Sequence, residues 1–182
     1  MRVIAGRARS MPLKTPKSNN TRPTTDRIKE TLFNVIQSEV PGSVFIDLFS
    51  GSGGIGIEAL SRGAKKCYFV ENEKEAIACI TDNLHFTKFE NESVLMKSDV
   101  FGALPMISEK EVDIIFMDPP YEAGYEENLL MSLSRMSYVT NQTLLILEAD
   151  ILKDFSFVSQ YGFEIIKQKK YKSNQHVFLK RI

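Results

Sequence analysis

A glycine-rich loop set directly between a strand and a helix constrains this chain more than any other feature. Val44-Phe45-Ile46-Asp47-Leu48-Phe49 is rich in branched and aromatic residues and runs into Gly51-Ser52-Gly53-Gly54-Ile55-Gly56. The residues from Ile55 to Ser61 then carry apolar side chains at helical spacing and stop at Gly63. The loop fits G-x-G-x-x-G, in which glycines permit a tight turn and a close approach of backbone to ligand, while the helix start offers free N–H groups. A tight turn without a ligand fits the same letters.

The same alternation continues downstream. Cys67 to Val70 reads as a second strand, Glu73 to Phe86 as a helix with Ala76, Ile77, Ile80 and Leu84 on one face, and Ser93 to Lys97 as a third strand. Asp113 to Met117 and Thr143 to Leu147 are further strands, separated by a helix over Glu126 to Met136. A short helix is expected near Leu152 to Tyr161. Phe163 to Tyr171 and His176 to Arg181 then form a hairpin joined at Lys172-Ser173-Asn174-Gln175. Strands alternating with helices predict an α/β fold of Rossmann-like type, a mostly parallel seven-stranded sheet closed by a C-terminal antiparallel hairpin. Ahead of the first strand, a helix is expected from about Thr25, capped within Pro23 to Asp26 and striped by Ile28, Leu32, Val35 and Ile36.

With 182 residues and 43% hydrophobic content the chain suits one domain, divided into an N-terminal basic arm and helix over 1–40 and a core over 41–182. No stretch is long and apolar enough to span a bilayer and the polar start does not resemble a signal peptide, so a cytoplasmic location is expected. Cys67 and Cys79 form no Cys-x-x-Cys pair and there are only two histidines, so no metal site is expected. His85 and His176 are assigned to structure.

The balanced net charge hides an uneven distribution. Residues 1–40 hold eight Lys/Arg against three Asp/Glu, and residues 163–182 hold six against one. Basic ends around an acidic body suit a chain that meets a polyanion, although a solvated surface accounts for them equally well. Arg2, Arg7, Arg9, Lys14, Lys17, Arg22 and Arg27 are the residues that could hold phosphates.

Three carboxylates fall at the ends of successive strands, where open sheets bind ligands. Asp47 lies within the end of a buried strand and needs a donor. The methionine ammonium of S-adenosylmethionine would supply one, directly or through water, whereas a pyrophosphate would be repelled; an acid satisfying its own loop is the structural alternative. Glu71, beside Asn72, is placed to accept ribose hydroxyls, and Asp99, beside Val100, to accept from an adenine amino group.

The sharpest signal is Asp118-Pro119-Pro120-Tyr121. Two prolines after an apolar strand fix an extended backbone without donors, and acceptors without donors suit an amino group. The Asp118 carboxylate and Pro119 carbonyl would accept both protons of an exocyclic base nitrogen, and Tyr121 would stack on the base.

On these residues the chain resembles class I S-adenosylmethionine-dependent methyltransferases that act on amino groups. Asp47-Leu48-Phe49-Ser50-Gly51-Ser52-Gly53 stands as the cofactor motif and Asp118 to Tyr121 as the target motif. The stretches Arg2 to Gly6, Arg22 to Asn34 and Gly56 to Gly63 narrow this to the bacterial 16S ribosomal RNA guanine-N2 methyltransferases of the RsmD family. The resemblance implies methyl transfer from S-adenosylmethionine to N2 of one guanine in 16S rRNA, free or within a small-subunit assembly particle, by an enzyme expected to be monomeric. A DNA adenine-N6 methyltransferase could use the same target motif, but no separate target-recognition segment is visible. A nicotinamide-dependent oxidoreductase would explain the glycine loop and leave Asp118 to Tyr121 without a role.

Overall fold

The computed structural model describes residues 1–16, 26–120 and 124–182. A seven-stranded sheet of order β3-β2-β1-β4-β5-β7-β6 forms its centre. Strands β1 (Val44–Asp47), β2 (Lys66–Glu71), β3 (Ser93–Lys97), β4 (Ile114–Met117) and β5 (Leu144–Asp150) run parallel. The last two strands, β6 (Phe163–Lys170) and β7 (Asn174–Arg181), form the hairpin, with β7 inserted antiparallel between β5 and the edge strand β6. The Rossmann-like sheet with an antiparallel C-terminal pair is the one expected from the alternation.

The central strands read as unbroken apolar runs because both of their faces are covered. Successive side chains alternate between the faces. Ile46, Ile115, Met117, Leu145 and Leu147 pack in one core with α4 (Val100–Ala103) and α5 (Tyr125–Leu133). On the other face Phe45, Ile114, Phe116 and Ile146 pack with α1 (Asp26–Val35), α2 (Gly54–Ser61) and α3 (Lys74–Thr87). Val3, Ala8 and Leu13 join this second core, so the N-terminal segment is docked against the domain through its apolar residues.

Two local expectations are corrected. The buried face of α1 is Lys29, Leu32 and Phe33, followed by Ile36; Ile28 and Val35 are only half-buried. The stripe is rotated because a lysine, which apolar patterning leaves out, is fully enclosed. Between Leu152 and Tyr161 the described backbone forms only a 3-10 turn over Val158–Tyr161. Asp150 accepts from Leu152 N (2.8 Å) and Asp154 from Ser156 N (3.3 Å), and such side-chain bonds compete with the helical ladder. Among the described residues no helix is long and apolar enough to cross a membrane.

Candidate active site

In the strand order, β2 and β3 lie to one side of β1 and β4 and β5 to the other, which opens a crevice at the carboxyl ends of β1 and β4. Leu48 N donates to Phe116 O at 3.0 Å, which sets the glycine loop beside the end of β4. Gly51 and Gly53 have positive φ of 52° and 80°, a region that favours glycine, and Gly53 N donates to Ser50 O at 2.6 Å to close the turn. Gly56 serves packing: a Cβ there would lie 2.3 Å from Phe69 Cε1 and 2.8 Å from Cys67 Sγ. A Cβ on Gly51 would meet nothing within 4 Å among the described residues, which leave the loop open on that side.

Asp47 is 1% exposed, and its Oδ2 accepts from Gly56 N at 3.1 Å. The carboxylate therefore latches the loop to the start of α2, as in the structural alternative. Burial pushes its pKa up to about 7, with the Gly56 bond pulling the other way. Its second oxygen, Oδ1, is buried without a hydrogen-bond partner among the described residues. Ser50 and Ser52 are also buried; Ser50 Oγ donates to Asp47 O at 2.8 Å, and Ser52 O accepts from Asn83 Nδ2 at 2.9 Å.

Glu71 stands beside the glycine loop at the end of β2. Its Oε2 accepts from Gly51 N (2.8 Å), and its Oε1 accepts from Asn72 N (2.8 Å) and Glu73 N (2.9 Å). Three backbone donors thus fix this carboxylate, which still has lone pairs to offer. Asn72 is exposed. Asp99 is exposed too and caps α4 by accepting from Gly102 N at 3.0 Å, while Val100 is buried in the core and can offer a ligand only its backbone.

Sequence reasoning placed Phe49 in the cofactor motif but missed the aromatic rim it forms with Tyr125 and Phe101. Phe49 meets Tyr125 edge-on at 5.7 Å between ring centroids, and Tyr125 lies 5.5 Å from Phe101, so residues that follow β1, β3 and β4 converge above the carboxyl ends. The position of Phe101 directly after Asp99 and Val100 was the available signal. Asp118, half-buried, and Pro119, buried, directly follow β4, and Pro120 is exposed. Tyr121, Lys17 and Arg22 lie outside the described residues.

The remaining basic residues are not one free arm. Arg2 pairs with Asp26 at 3.3 Å, Arg7 with Glu92 at 2.9 Å and Lys14 with Asp82 at 2.7 Å. Arg9 and Arg27 are exposed. Cys67 is buried, which raises its thiol pKa well above the ordinary value. Among the described residues no cluster of His, Cys, Asp and Glu could hold a metal ion.

A family model described as conserved hypothetical protein 95 matches residues 1–180. The chain belongs to this family. Its relatives include two proteins named ribosomal RNA small subunit methyltransferase D, and these RsmD proteins are the group its motifs resemble. The one from Haemophilus influenzae is 32% identical over 171 residues, 93% of this chain and 88% of that protein. The one from Escherichia coli K12 is 31% identical over 153 residues, 83% of this chain and 75% of that protein. YlbH of Bacillus subtilis is 36% identical over 152 residues, 82% of this chain and 83% of that protein. Among solved structures, yhhF of Escherichia coli superposes with a TM-score of 0.87 at 26% identity, over all of this chain and 97% of that one. The fold of this RsmD-family chain is that of the Rossmann-like methyltransferases.

The three stretches that carried the resemblance meet at one residue. Glu58 in α2, 0% exposed, accepts from Ile4 N (2.8 Å), Ala5 N (3.1 Å) and Arg62 Nε (2.8 Å), and pairs with Lys29 of α1. In this chain the residues that carry the resemblance wire, in this part, a buried junction.

Proposed function

We propose that the protein transfers a methyl group from S-adenosylmethionine to N2 of one guanine in 16S rRNA. The observation that carries the reading is the placement of the Asp118 carboxylate and the Pro119 carbonyl, two acceptors on a stretch whose prolines bring no N–H, at the end of β4 beside the glycine loop. The names of the two RsmD relatives support rRNA as the substrate, and guanine N2 follows from the resemblance of the motifs.

The residues present fit the cofactor. Glu71 is already oriented to receive a ribose, Gly51 leaves room for close approach, Asp99 is accessible for an amino group, and the Phe49–Tyr125–Phe101 rim offers a face for a flat ring. The unpartnered Oδ1 of Asp47 leaves a buried acceptor behind the loop, and a cationic ligand there would favour its ionised form. Bound there, S-adenosylmethionine supplies an electrophilic methyl carried by a sulfonium.

The chain's own residues position and polarise. The Asp118 carboxylate and the Pro119 carbonyl accept the two amino protons, which draws the nitrogen towards a nucleophilic geometry. A strong base is unnecessary, because the nitrogen becomes acidic only once it carries the methyl. Holding the reacting atoms in line supplies the larger share of the rate, roughly 7–11 kcal/mol in favourable cases. The target base has to leave its stack to reach these acceptors. Such a substrate places the reaction in the cytoplasm, and one chain supplies every residue invoked.

The test is calorimetric binding of S-adenosylhomocysteine together with transfer of labelled methyl to small-subunit rRNA from cells lacking the gene, with mass-spectrometric mapping of the product. N2-methylguanine at a single site is expected. Methylated adenine, or labelling of DNA alone, would overturn the substrate assignment; binding of a nicotinamide cofactor with no response to S-adenosylhomocysteine would overturn the chemistry.

A further inference from the structure

A cleft of about 570 Å³ runs between α1 and the turn that joins β6 to β7. Arg27 and Thr31 face it from the helix, and Lys169, Lys170, Tyr171 and Lys172 from the hairpin. We propose that this cleft is the track that holds the RNA backbone beside the target base, an inference that rests on the rRNA reading above.

Charge carries the first step. Arg27, Lys169, Lys170 and Lys172 are exposed, and none pairs with an acid among the described residues. By contrast, the cations of Arg2, Arg7 and Lys14 are each met by a carboxylate. Uncompensated cations on both walls of a cleft concentrate positive potential within it, as phosphate neutralisation requires. Of the N-terminal basic residues, Arg27 therefore belongs functionally with the C-terminal hairpin.

Position carries the second. Asn174, which also lines the cleft, donates from Nδ2 to Glu148 Oε1 at 2.5 Å. His176 Nε2 lies 3.1 Å from Glu148 Oε2, and Tyr171 OH lies 3.0 Å from His176 Nδ1. This buried network stiffens the hairpin turn against the end of β5. Since Met117 pairs with Leu147, Glu148 stands one register step beyond that pair, on the strand next to Asp118. The cleft thus borders the carboxyl ends where Asp118 acts.

Shape and composition favour a single RNA strand over a protein partner. Among the described residues Ile28 is the one aliphatic side chain lining the cleft, so these residues form no apolar centre of a protein interface, whereas Tyr171 and the cations suit sugar, phosphate and base. Lysines on an edge strand also discourage strand pairing. That role covers β6 but explains neither Arg27 on the opposite wall nor Lys172 in the turn.

The experiment measures anisotropy of a fluorescein-labelled single-stranded fragment of small-subunit rRNA across a salt series, with calorimetry of S-adenosylhomocysteine in parallel. Lys169→Ala/Lys170→Ala/Lys172→Ala should weaken RNA binding roughly tenfold or more and lower the salt slope by about 2. Arg27→Ala should lower it by roughly 1 or less. S-adenosylhomocysteine affinity should not change, which also reports that the variants are folded. Lys65→Ala/Lys110→Ala, at the amino ends of β2 and β4, should leave RNA affinity at the wild-type value. Wild-type affinity and slope in the triple variant would overturn the cleft and leave the rRNA reading standing. No RNA binding by the wild-type protein would overturn both. Unchanged RNA affinity with lost binding to protein-containing small-subunit particles would assign the cleft to a protein partner instead.

Discussion

Lys29 and Glu58 form an ion pair of 3.5 Å with side-chain exposures of 1% and 0%. Lys29 Nζ also donates to Arg2 O at 2.6 Å, so one buried pair ties together the first residues of the chain, α1 and α2. Burial lowers the Lys29 pKa, and the Glu58 charge opposes that shift.

Removing Glu58 strands a buried lysine and orphans two backbone donors, Ile4 N and Ala5 N. Glu58→Ala should therefore lower stability by about 3–5 kcal/mol in urea denaturation and expose the chain to trypsin at Arg7 and Arg9. An unchanged midpoint with a protected N-terminal segment would show that the junction contributes nothing.

Asp47 predicts a pH dependence. Its pKa is about 7 when folded, against an ordinary value of 3.8, so the folded state binds the proton more tightly. Its contribution is fully present below the unfolded value and is lost as pH rises through about 7. Asp47→Asn is neutral throughout, so its stability relative to wild type should rise by roughly 1–4 kcal/mol between about pH 4 and pH 8. Parallel pH profiles of the two proteins would reject this account.

Gly56→Ala drives a methyl group into Phe69 and Cys67. The expected cost is about 1–3 kcal/mol, partly relieved by Cys67→Ala in the same chain. Thermal melts of the single and double variants make the comparison, and additive effects would mean that the two side chains do not share that space.

Asp118→Ala should cut methyl transfer by roughly a hundredfold or more, while S-adenosylhomocysteine binds as before. Asp118→Asn keeps one acceptor oxygen and should fall between them. Full activity in either variant would remove Asp118 from the amine contact.

The strands were legible in the sequence because a parallel strand covered on both faces must be apolar throughout, as Ile114 to Met117 is. The glycine loop and Asp118-Pro119 were legible because turn chemistry and proline leave local marks. Lys29 and Glu58 were not, since a charge looks the same in sequence whether it faces water or a buried partner 29 residues away. Partnership also hid the aromatic rim and the basic cleft, which join residues far apart in the chain. Phe49, Phe101 and Tyr125 follow three different strands, and Arg27 and Lys172 share a cleft only once β7 lies beside β5.

The docked N-terminal segment also has a timetable. Lys14 is held through its backbone by Asn83, which accepts from Lys14 N at 2.8 Å and lies 69 residues downstream. At ribosomal rates of roughly 5–20 residues per second, that partner is synthesised several seconds after the segment it holds. The Lys14 end of the segment therefore cannot be fastened until α3 has been made, whereas Ile4, Ala5 and Ala8 find their partners in α2, which is made earlier.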